Sequence, residues 1–152
     1  MRALYIADIQ PIVDSYFGIL FRPVQQWFSH RGISLWAGQV TACTMGLNFW
    51  PHMHKDRDIW FTVLLRLHVG SHKAGGGHFA FPEMGWVLLT EAMDILIYNP
   101  DEFHGTTEMD LTGIPAGQGI LYIAFYCKKD VVKGRIGTCM AQPCAIKPTV
   151  AE

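Results

Sequence analysis

Charge is scarce in this sequence. Only 16% of its 152 residues are Asp, Glu, Lys or Arg, and the formal net charge is −1 with the seven His counted neutral. So near-neutral a chain is poorly equipped to live on phosphate contacts, although a local basic patch would fit within that balance. Cys43, Cys127, Cys139 and Cys144 are spread without a C-x-x-C spacing, so neither a zinc knuckle nor a redox pair is written here. Reduced thiols are the expectation for all four. No apolar run approaches the roughly eighteen residues of a membrane helix. Asp8 stands where a signal peptide has its apolar core. A soluble intracellular protein, cytoplasmic or nuclear and without membrane attachment, is expected. The P-loop, the post-strand G-x-G-x-x-G and the G-x-S-x-G elbow are all missing, which removes nucleotide-phosphate and serine-hydrolase chemistry. There is no internal repeat.

What is present is apolar. At 50% hydrophobic content the chain can bury a core, and its length suits a single domain over residues 1–152. Residues 1–32 read as a helical flank. Pro11 suits a first helical turn, and Ile12, Tyr16, Leu20, Val24, Trp27 and Phe28 fall near a 3.6 period. Pro23 predicts a division into two short helices, and Gly32 a stop. Their expected job is to cover one face of a sheet.

From 33 to 128 the texture is short apolar runs punctuated by Gly, Pro and Asn. Residues 34–36, 40–45, 59–69, 78–81, 86–89, 94–98 and 120–128 read as strands. That pattern predicts a mainly β (α+β) fold, a sandwich or jelly roll with the helices packed on one sheet. In the longest run Ile59, Phe61, Val63, Leu65, Leu67 and Val69 share one face. Trp60, Thr62, Leu64, Arg66 and His68 share the other, where Arg66 and His68 are either solvated or line a polar pocket. Residues 129–152 read as a charged turn and a loosely held tail.

The chemistry concentrates between His52 and His104. On an extended segment residues i and i+2 point the same way, so His54 and Asp56 can face one ion. With one distant His they form the ligand set of a 2-His-1-carboxylate facial triad, which holds Fe(II) and leaves positions open.

The segment from Asn48 to Asp58, with His54-Lys55-Asp56 at its centre, resembles the N-x(n)-H-x-D segment of the TET and base J-binding protein oxygenases, particularly their small fungal relatives. Gly76-Gly77-His78-Phe79-Ala80-Phe81-Pro82-Glu83-Met84-Gly85 is similar to their G-G-x-x-x-x-P-x-x-G turn, and residues 92–98 to the strand before the distal His. His104-Gly105 matches that His, fifty residues beyond His54. The resemblance spans roughly 40–127. It implies a double-stranded β-helix, or jelly-roll barrel, with His54, Asp56 and His104 as metal ligands and catalytic set. It also implies Fe(II) and 2-oxoglutarate as cofactor and cosubstrate, ascorbate as supporting reductant, and oxidation of a C–H bond. The implied substrate is a methylated pyrimidine in DNA, flipped from the duplex. The charge balance favours a free nucleobase or other small molecule almost equally.

One departure stands out. The family holds the distal carboxylate of 2-oxoglutarate with an Arg about fifteen residues after the distal His, where this chain has Gly119. Arg66 is the leading replacement, ahead of Lys128. After that, in order, come a cosubstrate that lacks that carboxylate and a degenerate barrel that only binds a ligand. Asn48 either hydrogen-bonds the cosubstrate or forms a turn. His52-x-His54 with Asp58 and His104 offers a cupin-type alternative ligand set. His68, His72 and His78 read as surface or packing residues. Trp50, Phe79, Trp86, Phe103 and Tyr122 read as core aromatics that could also wall a substrate pocket.

Overall fold

The computed structural model describes residues 5–30 and 39–132. A π-helical turn, Tyr5–Ile9, leads into helix α1, Gln10–His30. α1 is one continuous helix rather than the two short ones that Pro23 predicts. Pro23 is solvent-exposed inside it and forfeits one backbone hydrogen bond. Phe21, Val24 and Phe28, buried on both sides of that point, hold the helix together by packing. The phase of the helix also differs from the sequence reading. Val13, Phe21, Val24 and Phe28 are buried, while Ile12, Tyr16 and Leu20 face solvent.

The strands are β1 Ala42–Leu47, β2 Asp58–Val69, β3 Gly75–Gly76, β4 Phe79–Phe81, β5 Trp86–Leu88, β6 Ile95–Tyr98, β7 Gly105–Thr106, β8 Met109–Asp110 and β9 Gly119–Lys128. A single turn of helix, α2 Lys129–Val132, stands where the sequence reads as a charged turn. The strand read at 34–36, the Gly32 stop and the tail beyond 132 lie outside the described residues. The two-residue strands β3, β7 and β8 are not foreseen by the sequence, because two residues carry no periodicity.

The main sheet is antiparallel in the order β1-β9-β2-β6. Two smaller antiparallel sheets, β5-β4-β7 and β3-β8, lie on its other side from α1. The fold is therefore mainly β with an N-terminal helix. Among the described residues its sheets do not close into a barrel. The main sheet is buried on both faces. Val63, Leu65, Ile123, Phe125 and Cys127 pack with α1. Leu64, Ile120 and Tyr122 pack instead with Phe79, Phe81, Tyr98 and Met109.

β2 carries one irregularity. Its pairing with β9 shifts between Ile59 and Val63, and Trp60 takes a positive φ of 63° there. Trp60 accordingly leaves the Thr62–Leu64–Arg66 face and packs edge-on against Trp27 and Phe28 under α1. Past the bulge the expected alternation holds. No helix among the described residues is long and apolar enough to cross a membrane.

Candidate metal centre

The segments at the two ends of the 52–104 stretch meet. His54 and His104 form an antiparallel β-bridge, His54 N–H to His104 O at 2.8 Å and His104 N–H to His54 O at 2.9 Å. Asp56 N–H extends the pairing to Pro100 O at 3.0 Å. Gly105 makes this approach feasible, since a Cβ there would press on the backbone and sulfur of Met53. Extended backbone through 54–56 then turns His54 and Asp56 to one side, as their i, i+2 spacing predicts.

The ligand atoms of His54, Asp56 and His104 all lie within 4.8 Å of one another. Asp56 sits between the rings, Oδ1 3.6 Å from His54 Nε2 and Oδ2 3.4 Å from His104 Nε2. Each imidazole spends its other nitrogen on a carbonyl. His54 Nδ1–H donates to His52 O at 2.6 Å, and His104 Nδ1–H donates to Glu102 O at 2.7 Å. A carbonyl only accepts, so Nδ1 carries a proton in each ring and Nε2 is the atom left facing Asp56, as a lone pair toward a metal ion or as an N–H toward the carboxylate. Two lone pairs and a carboxylate repel unless a cation, a proton or a metal ion, sits among them. This outer-sphere arrangement of imidazoles is what metal-binding histidines use.

The surroundings are asymmetric. His104 is 2% exposed, stacked on Phe79 and tilted against Tyr98, whereas the side chains of His54 and Asp56 are 38% and 37% exposed. The hydrogen bond with His104 holds the Asp56 carboxyl below its ordinary range. Partial burial opposes this, and the charges of both imidazoles assist it. Burial pushes the Tyr98 phenol far above its usual value, and the Asp56 charge adds to that.

Beside the triad lies a cavity of about 230 Å³, lined mainly by the inner faces of β2 and β9 and by the 44–56 and 98–106 segments. From β9 the alternating residues Tyr122, Ala124, Tyr126 and Lys128 look into it. Phe79 and Tyr122 thus do line the pocket, and Trp50 and Trp86 do not. Phe49, Tyr98, Tyr126 and Thr44 are lining residues that the sequence reading passed over. The alternation of β9 was the available signal for Tyr126.

The remaining candidates are placed elsewhere. Arg66 is 4% exposed, not solvated, and is not among the cavity-lining residues. Its guanidinium donates to the Thr90 carbonyl, to Thr90 Oγ1 at 3.0 Å and to Gly76 O at 3.0 Å. The Gly75-Gly76-Gly77 turn supplies the Gly76 carbonyl, and its Gly77 O takes the Tyr122 hydroxyl. Asn48 is equally committed. Its Nδ2 donates to Gln118 O at 2.7 Å and its Oδ1 accepts from Ile120 N–H at 2.9 Å, tying the end of β1 to the start of β9.

Gly119 shares the strand parity of Leu121, Ile123 and Phe125, so a side chain there would point away from the cavity. Its φ of +128° and the adjacent Asn48 amide also leave no room for a Cβ. Lys128 does line the cavity, half-exposed, 3.7 Å from Asp58 Oδ1 and over the Tyr126 ring. Of the cupin-type set, His52 is exposed and contributes only its carbonyl, while Asp58 pairs with Lys128; neither joins the triad. His68, His72 and His78 stay outside it too. No protein-family model matches the chain, and no curated protein matches it.

Proposed function

We propose that the protein is an Fe(II)-dependent dioxygenase that oxidises a C–H bond, using 2-oxoglutarate as cosubstrate, on a jelly-roll scaffold of the TET/base J-binding type. The observation that carries this reading is the convergence of two imidazole Nε2 atoms and one carboxylate at the edge of a cavity. Two imidazoles and a carboxylate fit a divalent iron with coordination positions left open; zinc accepts the same donors, so titration with both metals distinguishes them. His54, Asp56 and His104 would hold the ion. Bound Fe(II) supplies the oxygen activation that C–H oxidation requires.

The chain's own residues place and protect. The backbone bridge fixes the spacing of the two imidazoles, and the carbonyls of His52 and Glu102 fix their tautomers. Phe79 and Tyr98 keep water from His104, and the aromatic walls of the cavity suit a small, flat, largely apolar substrate. A free nucleobase or other small molecule fits that volume, and a base flipped out of DNA presents the same ring. Two facing antiparallel sheets sharing an apolar cluster support the jelly-roll reading.

Arg66 and Gly119 favour one second reading. Neither offers a cation to the cavity, and the Lys128 that does line it is paired with Asp58, as expected of a scaffold that binds a ligand without turning it over.

The experiment is succinate release under air with Fe(II), 2-oxoglutarate and ascorbate, run beside metal titration. Wild type should bind Fe(II) or Mn(II) at one site and release succinate. Asp56→Ala should lose both, by roughly 100-fold or more in metal affinity. Undiminished metal binding in Asp56→Ala would favour the set His52, His54, Asp58 and His104. No metal binding and no turnover with any 2-oxo acid would leave the binding module.

A further inference from the structure

Two hydroxyls in the cavity have no use for the folded chain by itself. Thr106 Oγ1 and Thr62 Oγ1 are buried without a hydrogen-bond partner among the described residues. The residues are 5% and 1% exposed, and both line the cavity. Thr106 follows His104 by two positions on β7, and Thr62 faces Tyr98 across the β2–β6 pair. The Thr62 hydroxyl lies near enough to the Tyr98 phenol to influence it, yet the two form no well-aligned bond. Buried hydroxyls left unpaired are costly, and valine would fill the same β-branched shape without that cost. A hydroxyl left unpaired beside a cavity can donate one hydrogen bond and accept others, so both are open to a ligand group.

We propose that Thr62 and Thr106 form a hydrogen-bonding subsite for the carboxylate of a small organic acid bound beside the triad. The inference deepens the reading of His54, Asp56 and His104 as a metal centre and rests on it. The polar lining of the cavity selects an acceptor. Its donors include the two threonine hydroxyls, the Tyr98 phenol and the Lys128 ammonium; the Tyr122 hydroxyl is spent on Gly77 O and Tyr126 pairs with Thr44, while the carboxylates are engaged, Asp56 with the imidazoles and Asp58 with Lys128. A carboxylate offers only acceptors. With a divalent ion on the triad the lining side chains carry net positive charge, which favours an anion over a neutral ring amide.

The test is calorimetric titration of the Mn(II)-loaded protein with 2-oxoglutarate, in wild type, Thr62→Val, Thr106→Val and Thr106→Ser, with melting temperatures of the metal-free proteins measured alongside. Both valine variants should bind 2-oxoglutarate about tenfold or more weakly, with unchanged Mn(II) affinity. Their melting temperatures should equal or exceed that of wild type, because a buried unpaired group has been removed. Thr106→Ser should bind like wild type. Unchanged 2-oxoglutarate affinity in both valine variants overturns the proposal, as does a lowered melting temperature with unchanged affinity, the mark of a structural role. Wild type that takes Mn(II) but no 2-oxoglutarate overturns the subsite and leaves the triad standing. Wild type that takes no Mn(II) removes the metal centre and the subsite with it.

Discussion

Asp56 and Asp58 stand two residues apart, and the fold treats their carboxyls in opposite ways. Asp56 is held low by its hydrogen bond with His104, while Asp58 is pushed up by burial, with Lys128 opposing. The native Asp58 carboxyl thus keeps its proton to a higher pH than the unfolded one, whose ordinary value is 3.8. Between those two values the native state binds more protons, so stability falls as pH rises and then levels above the native value. Asp58→Asn should remove that fall. Urea unfolding from about pH 4 to pH 7 should show the variant gaining on wild type as pH increases. A difference that shrinks over this window would contradict the burial argument. The same residue scale shows what a pattern can hide. His54 and Asp56 were legible because i, i+2 geometry is local, whereas Arg66 was not, because its acceptors at Thr90 and Gly76 come from other segments.

At the scale of elements, β9 organises the site by pairing with β1 on one side and β2 on the other. Its first residue, Gly119, carries a positive φ and abuts the Asn48 amide that clamps the strand's start. Gly119→Ala should therefore cost about 1–3 kcal/mol of stability, from backbone strain and the broken clamp. Urea denaturation measures it, and a loss under about 0.5 kcal/mol would show the start of β9 to be freely adjustable. The longer strands were readable from alternation, and their boundaries shift by only one or two residues. The bulge in β2 was not readable. Nothing in Ile59-Trp60-Phe61 announces that Trp60 will turn to the helix side, where Trp27 and Phe28 receive it. Pro23 likewise marks a helix break that packing overrides.

Across the whole molecule, α1 and the triad occupy opposite faces of one sheet. Phe28 is fully buried in the helix-side cluster, with Phe125 from β9 in the same core. Phe28→Ala should cost about 3–5 kcal/mol by transfer and cavity effects. Its melting temperature should drop accordingly, while Mn(II) at the proposed centre on the far face should raise it by the same increment expected of wild type. Loss of the Mn(II) effect in this variant would mean that the two faces are coupled.

By itself the sequence determined the class of elements and the inventory of donors. Periodicity and the direction of neighbouring side chains are properties of a few consecutive residues. It also indicated that His54 and Asp56 point to one side, and through the pattern around His104 which distant residue lies against them. Only the tertiary structure decided where Arg66, Asn48 and Lys128 spend their polar groups, and that the hydroxyls of Thr62 and Thr106 find no hydrogen-bond partner among the described residues. Such outcomes depend on which partners the remote strands bring within reach, and no local spacing encodes that.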